Sequence, residues 1–477
     1  MIKGRKDSRV QMNLITREGE CKYSEDLFAT EIPVWYEGNG EVRSEWLSIC
    51  EGERNQTKRL LESVIELGNL RKAYANVRSN GGSSGVDKES IEDFGIRFRN
   101  EYGNIQCSIL EGRYEPKEVK GVQIPKPQGG YRQLGIPTVE DRVVQQAILQ
   151  VLQPYYDPKF SEFSYGFRPH RSAHQALVQS CRYVKGGYTR VVDIDLCKFF
   201  DEVNHQRLEW LLSTRIGDNR LLELIGKILR TGILESGLVS QRTKGTPQGS
   251  PLSPLLSNIV LDELDQELQR RGLRYVRYAD DVKVFVRSKL SSERVMSSLS
   301  RFIEERMLLK INQEKSGIRY ARDTEFLGYR LQYGGKLTLS AKSELRLKDK
   351  LREITSRKRG VNFVQLLIEI RSVLSGWLHY FKMAQMKKKL IQIEGWLRRR
   401  LKCYRLKQCK RAMGIVRFMR SLGVEESLSW RLALSGKGWW RKSNTPATNI
   451  GMNNEWFASQ GYYSLSEHYE KLHRKPL

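Results

Sequence analysis

The chain is 477 residues long and 39% hydrophobic, with 82 Lys and Arg against 55 Asp and Glu, a formal net charge of +27. Its length predicts about two to four folded domains, and so large a basic excess points to a polyanionic partner, either nucleic acid or an anionic membrane. No run of about 18 apolar residues is present to span a bilayer, and the opening MIKGRKDSRVQMNL lacks the apolar core of a signal peptide, so nucleic acid and a cytoplasmic location are the expectation.

Residues 1–62 carry 10 basic and 12 acidic side chains and no readable pattern, and no role is assigned to this extension. In SGVDKESIEDF, Ser84 and Gly85 break the chain, and Asp87 or Ser90 can cap the helix that follows. VQIPKPQGGYRQLGIP, with Pro and Gly punctuation, predicts strand, turn and strand. VEDRVVQQAILQVLQPYY predicts a helix, because Val143, Val144, Ala147, Ile148, Val151 and Leu152 recur at spacings of three and four. TRVVDIDLCKFF predicts a short strand, with Val192, Ile194 and Leu196 on one face and Val191, Asp193 and Asp195 on the other. SPLLSNIVLDELDQELQRRG predicts a helix from near Pro254 to Gly272. RYVRYADDVKVFVR predicts two strands around a tight turn that holds Asp280 and Asp281.

The charge concentrates after this point. Residues 342–420 hold 23 basic and 5 acidic side chains, a net +18 and two-thirds of the whole excess. Val364, Leu367, Ile368, Ile370, Val373, Leu374 and Trp377 fall at helical spacing, which a disordered basic tail would lack. The stretch therefore predicts a helical domain with a basic face. Residues 421–477 place Trp and Tyr beside basic and amide side chains, a mixture equally suited to stacking on bases and to a small aromatic core. The seven cysteines are scattered and odd in number, as reduced thiols would be, and the spacing of Cys403 and Cys409 matches no zinc motif.

The chemistry lies in the carboxylates. Asp195 ends a strand, and Asp280 and Asp281 sit in a hairpin turn. Nucleotidyl transfer uses hard oxygen donors of this kind to hold two Mg²⁺ ions about 4 Å apart. Neighbouring acids repel unless a cation lies between them, although an isolated Asp-Asp pair is more often a solvated turn.

The pair is not isolated. YADD, from Tyr278 to Asp281, resembles the core motif of reverse transcriptases. DLCKFFDEVNH, from Asp195 to His205, resembles their first palm motif, and GTPQGSPLSPLLSN, from Gly245 to Asn258, the motif that contacts the templating pair. The resemblance implies Asp195 and Asp280 as the principal ligands of two Mg²⁺ ions, with Asp281 a supporting third carboxylate. Asp193 shares the strand face and competes for the role, but the spacing to Phe199–Asp201 favours Asp195. Phe200 would be the gate that excludes the ribose 2′-hydroxyl. Lys126 and Arg132 resemble residues that hold the incoming triphosphate, as a point charge and a bidentate fork. Gln248 and Gly249 would lie against the nascent pair. Lys315 matches a lysine that protonates the pyrophosphate leaving group, with a plain surface lysine as the alternative. FLGY, from Phe326 to Tyr329, resembles the primer grip.

SYGFRPHRSAHQAL and RQLGIPTVEDRVVQQAIL resemble group II intron reverse transcriptases, and NLRKAYANVRSNGGSSGVDKESIEDF their N-terminal extension. GWLHYF and WLRRRLKCYRLKQCKR resemble the maturase, or X, domain, a thumb that binds intron RNA. Many relatives end in an endonuclease with paired cysteines. Such pairs are missing here, so the likeness is to the short, endonuclease-lacking group IIC-like bacterial branch, which would borrow another DNA end as primer. PQGS stands where PQGG is commoner, and the small Ser250 should be tolerated.

The expected architecture is an α+β right hand. Residues 63–188 would form fingers with an N-terminal extension, 189–340 the palm, 341–412 the helical thumb or maturase domain, and 413–477 a DNA-binding module. The expected function is RNA-directed DNA polymerisation joined to binding of the host intron RNA, with RNA template, DNA primer, target DNA and dNTPs as partners and no membrane. A domesticated, intron-free reverse transcriptase in phage defence or DNA repair is the alternative. A non-enzymatic RNA chaperone fits less well, since it has no reason to keep the acidic set.

Overall fold

The computed structural model describes residues 52–125, 129–235 and 238–474. Lys126 therefore lies outside the described residues, as does most of the N-terminal extension. Eleven strands among the described residues form three sheets. In the central sheet β6 (Arg274–Tyr278), β7 (Asp281–Val286), β3 (Arg190–Asp195) and β8 (Gly317–Tyr320) lie side by side, all antiparallel. An outer sheet runs β2 (Tyr131–Ile136), β1 (Val119–Pro125), β4 (Ile233–Glu235) and β5 (Leu238–Ser240). A small third sheet joins β9 (Glu325–Phe326), β10 (Tyr329–Leu331) and β11 (Leu337–Leu339). This is the α+β architecture expected, with the central sheet in the place of the palm.

The central sheet divides two apolar cores. Strand β3 turns Val192 and Ile194 into one core, where Val282, Val284 and Tyr275 join the helices Val139–Tyr156 and Ser253–Arg270. Its other face turns Val191 into a second core with Val276, Phe285, Phe326 and the C-terminal helices. A strand buried on both faces is held in register strongly, because a slip of one residue would exchange its apolar and acidic sets. The carboxylates sit at the strand end that neither core covers.

Local capping explains the helix starts. Ser90 accepts a hydrogen bond from Asp93 N at 3.1 Å, and Thr138 accepts from Asp141 N at 3.1 Å. Each such cap contributes about 1 kcal/mol. Of the two cap candidates in the sequence, Ser90 takes the position, while Asp87 accepts from Glu89 N in the loop before it. The helix Ser253–Arg270 starts with Pro254 in its first turn, and Gly272 beyond its end has φ +64°.

Three helices, Ala341–Ile354, Phe363–Phe381 and Lys387–Gln408, follow the sheets, and the first and third of them are net basic. The FLGY hairpin docks on the second of them. Tyr380 Oη donates to Leu327 O at 3.0 Å, and a Cβ on Gly328 would lie 3.1 Å from the Phe381 ring. The C-terminal aromatics mostly complete the second core: Phe457 is buried, and Trp439, Trp456, Tyr462 and Tyr469 pack against it. Trp440 stays exposed beneath the Arg399 guanidinium, 4.1 Å from its ring centre.

Candidate active site

The hairpin between β6 and β7 differs in one detail from the sequence reading. Its two turn residues are Ala279 and Asp280, while Asp281 opens β7 opposite Tyr278 on one side and Asp195 on the other. A two-residue hairpin loop needs a positive φ, and Ala279 supplies it at +57°. Strand alternation and register then place Asp193, Asp195, Asp281 and Lys283 on one face, with Asp193 opposite Lys283.

The four acids do not share one environment. Asp193 is buried and ion-paired with both Lys283 and Arg319. Lys283 Nζ also reaches Asp281 Oδ1 at 2.7 Å. Burial works against the Lys283 ammonium, yet Asp281 and Asp193 together hold its pKa above the ordinary lysine value. Burial raises the Asp281 carboxyl, with Lys283 opposing. Burial also raises Asp280, the nearby Asp195 adds to the rise, and Arg132 and Lys315 counter it. Asp195 is as exposed as Asp281, at 38%, with Lys315 Nζ 3.5 Å from its Oδ2. Asp280 therefore feels Asp195 as a like charge, with Arg132 and Lys315 as opposing cations.

This donor chemistry suits a hard divalent cation. Oxygen ligands sit on a rigid sheet, and two like charges are close enough to perturb each other. The fit rests on two carboxylates. Among the described residues no group of three or more His, Cys, Asp or Glu side chains converges as a cage, and Asp281 is engaged by Lys283.

Two loops are strapped to the outer sheet beside Arg132. Arg132 Nε on β2 donates to Gln248 Oε1 at 2.6 Å, and Gln248 Nε2 donates to Asp201 Oδ1 at 3.1 Å. Gly135 N donates to Gln248 O at 2.8 Å. Gly249 has φ +116°, and a Cβ there would lie 2.6 Å from Gly135 O, so only glycine lets this loop reach the strand. Thr246 N donates to Phe200 O at 2.6 Å, tying the same loop to the segment after β3. The half-buried Phe200 ring meets Phe199 and Phe167 edge-on, at 5.5 and 6.5 Å. Ser250 Oγ hydrogen-bonds Gln145 Oε1 inside the helix Val139–Tyr156, a use for the hydroxyl beyond mere tolerance.

Arg132 and Lys315 thus act on the carboxylates, and Phe200, Gln248 and Gly249 are tied to the strand of Arg132 through the same loop. The sequence reading missed Lys283, Asp201 and the buried Arg277–Asp265 ion pair beneath the turn. A signal was present for two of these: Lys283 and Arg277 are charges in strands whose neighbours are apolar.

Residues 124–331 match the family described as reverse transcriptase (RNA-dependent DNA polymerase), and residues 345–421 match the group II intron maturase-specific domain. Protein YkfC of Escherichia coli (strain K12) is 33% identical over 291 residues, which cover 52% of this chain and 75% of that protein. The group II intron-encoded protein LtrA of Lactococcus lactis subsp. cremoris is 30% identical over 386 residues, covering 66% of this chain and 62% of LtrA, so the chain spans under two-thirds of that relative. A putative COX1/OXI3 intron 2 protein of Saccharomyces cerevisiae is 28% identical, covering 60% of this chain and 41% of its own length. Among solved structures, a partial Cas6-RT-Cas1–Cas2 complex aligns with TM-score 0.34 and 26% identity, over 51% of this chain and 42% of that one. No helix among the described residues is long and apolar enough to cross a membrane.

Proposed function

Since the chain belongs to the group II intron-encoded reverse transcriptase and maturase family, we propose that it copies RNA into DNA at the Asp195–Asp280 site and binds its host intron RNA through the basic helices. One observation supports the reading: Asp280 feels the charges of Asp195, Arg132 and Lys315 together, and Arg132 is bonded to Gln248.

In the reaction the primer 3′-oxygen bonds to the α-phosphorus of a dNTP, and the bond to the pyrophosphate oxygen breaks. Two Mg²⁺ ions, when bound, supply Lewis acidity and neutralise the triphosphate, with Asp195 and Asp280 as the residues that would hold them. Arg132 presents a planar fork to the triphosphate. It must then release Gln248, freeing that amide to contact the nascent base pair beside Gly249. Phe200 would exclude a 2′-hydroxyl and so select deoxyribose. Lys315 Nζ gives a proton to the departing pyrophosphate. Lys126 joins Arg132 at the phosphates. Asp281, neutralised by Lys283, supports the site from the sheet.

The maturase role rests on the net +18 of residues 342–420. Phosphate contacts from such a surface give salt-dependent RNA affinity, and the exposed Trp440 under Arg399 offers a stacking face. The protein would act as a ribonucleoprotein that carries its intron into target DNA. The deciding experiment is primer extension on an RNA template with Mg²⁺ and dNTPs, comparing wild type with Asp280→Asn at equal circular dichroism. cDNA from wild type alone supports the assignment. No cDNA from either protein, with RNA binding intact, refutes the polymerase and leaves an RNA-binding maturase.

A further inference from the structure

The residue beneath the catalytic turn is a buried arginine. On β6 the side chains of Tyr275 and Arg277 point away from the carboxylates, and Arg277 is 0% exposed. Its guanidinium forks onto Asp265 of the helix Ser253–Arg270, with Nε at 2.9 Å from Oδ1 and Nη2 at 2.5 Å from Oδ2. A pair of this kind is weak evidence for stability in itself, because desolvating both charges offsets their attraction. Its value must lie in what it orients.

The remaining nitrogen shows what that is. Arg277 Nη1 donates to Ala279 O at 3.1 Å and to Asn258 Oδ1 at 2.9 Å. Asn258 Nδ2 donates in turn to Gly166 O at 3.0 Å. Gly166 lies directly against the turn: a Cβ there would sit 2.2 Å from Ala279 N. The strands beside it are bonded as well, Tyr165 N to Arg277 O and Arg277 N to Phe163 O, both at 2.9 Å. Ala279 is therefore held at its carbonyl, and Gly166 packs closely against its amide.

Ala279 needs that hold. At φ +57° an L-residue with a Cβ is strained relative to its ordinary conformations. The carbonyl of Ala279 and the amide of Asp280 form one planar peptide unit. Fixing that oxygen fixes the plane from which the Asp280 side chain departs. We propose that Arg277, braced by Asp265, Asn258 and Gly166, is the positioning residue that keeps the Asp280 carboxylate aimed into the site beside Asp195. It also gives the block around Ser164–Arg168 a role: its glycine is the floor of the turn. The inference rests on the polymerase reading above.

The test is steady-state primer extension with the full chain, RNA template and Mg²⁺, with RNA affinity and melting followed in parallel. Arg277→Lys keeps the charge opposite Asp265 and loses the fork. We expect kcat to fall about 10²-fold, with KM for the nucleotide and RNA affinity little changed. Adding Ala279→Gly, which accepts a positive φ without steric cost, should restore about tenfold. Losses that simply multiply in the double variant would overturn the proposal, as would a wild-type rate for Arg277→Lys. If Arg277→Lys does not fold, Gly166→Ala serves: it leaves the ion pair intact but presses a methyl on the turn. It should lower kcat with RNA affinity intact, and a wild-type rate there overturns the proposal. Wild type that makes no cDNA refutes the polymerase reading itself, whereas active wild type with unaffected variants refutes only the role of Arg277.

Discussion

Lys283 is the best point at which to test the electrostatics of the site. Its ammonium is 5% exposed and lies between Asp193, 7% exposed, and Asp281, 38% exposed. Lys283→Met keeps most of the volume and removes the charge. Taking one partner from a buried ion pair costs about 3–5 kcal/mol, because the other charge is left unsolvated. Here the loss should fall at the lower end. Water already reaches Asp281, and Arg319, itself 39% exposed, remains on Asp193. A loss of about 3 kcal/mol corresponds to an about 10²-fold larger open population of the strands. A chain with two cores need not unfold in one step, so a local measurement is required. Hydrogen exchange of peptides covering β3 and β7 supplies it. Adding Asp193→Asn removes the stranded charge and should recover most of the loss, since the open Arg319 can be hydrated instead. A single variant that loses less than about 1 kcal/mol, or a double variant less stable than the single, would refute this account.

Asp262 gives a pH prediction. Burial, and then Asp265, push its carboxyl up to about 6 from an ordinary 3.8, and its Oδ1 has no hydrogen-bond partner among the described residues. The folded state therefore favours the protonated acid, so its contribution is fully present below about pH 4 and is lost as pH rises through 6. A shift of two units is about 3 kcal/mol, and Asp262→Asn should stabilise the protein by up to that amount at pH 8 and hardly at pH 4, read by urea unfolding at both. A benefit independent of pH would exclude this cause. Phe200→Ala should raise ribonucleotide use relative to deoxyribonucleotide by about 10²-fold, scored by alkali-sensitive product; unchanged discrimination would remove the gate role. Arg132→Lys should raise KM for dNTP about tenfold, as one arm of a charge-assisted fork is lost, and an unmoved KM would place the triphosphate elsewhere. Affinity for structured RNA should fall at least about 10³-fold between roughly 50 and 200 mM salt, measured by filter binding, and a shallow slope would count against a phosphate-reading thumb.

What could be read from the chain followed the range of the information. The alternation in Val191–Leu196, the cap at Ser90 and the helix over Val139–Tyr156 are local patterns, and each took the expected form. The helix even runs through Pro154, close enough to its end that a lost backbone bond matters little. The hairpin was readable as a hairpin but not to the residue. Whether Asp281 belongs to the turn or to the strand depends on its pairing with Asp195, 86 positions earlier in sequence. The Arg132–Gln248–Asp201 chain spans separations of 116 and 47 residues and leaves no trace in local spacing.

Lys283 and Arg277 show where the limit lies. Both interrupt apolar strands, and a charge at a core position implies a buried counter-charge, because a lone one is too costly to keep. The sequence thus announces that a partner exists without saying which acid it is. Once the sheet is formed, the two cations serve its opposite faces. Lys283, with Arg319, pairs Asp193 and Asp281 on one face and leaves Asp195 and Asp280 to the cations Lys315 and Arg132. Arg277 works from below and holds the peptide that carries Asp280. The first sets which carboxylates are paired within the sheet and the second where Asp280 points. Exchanging the two positions in the strand pattern would lose both effects, so the sheet's register constrains the chemistry as much as the motif does.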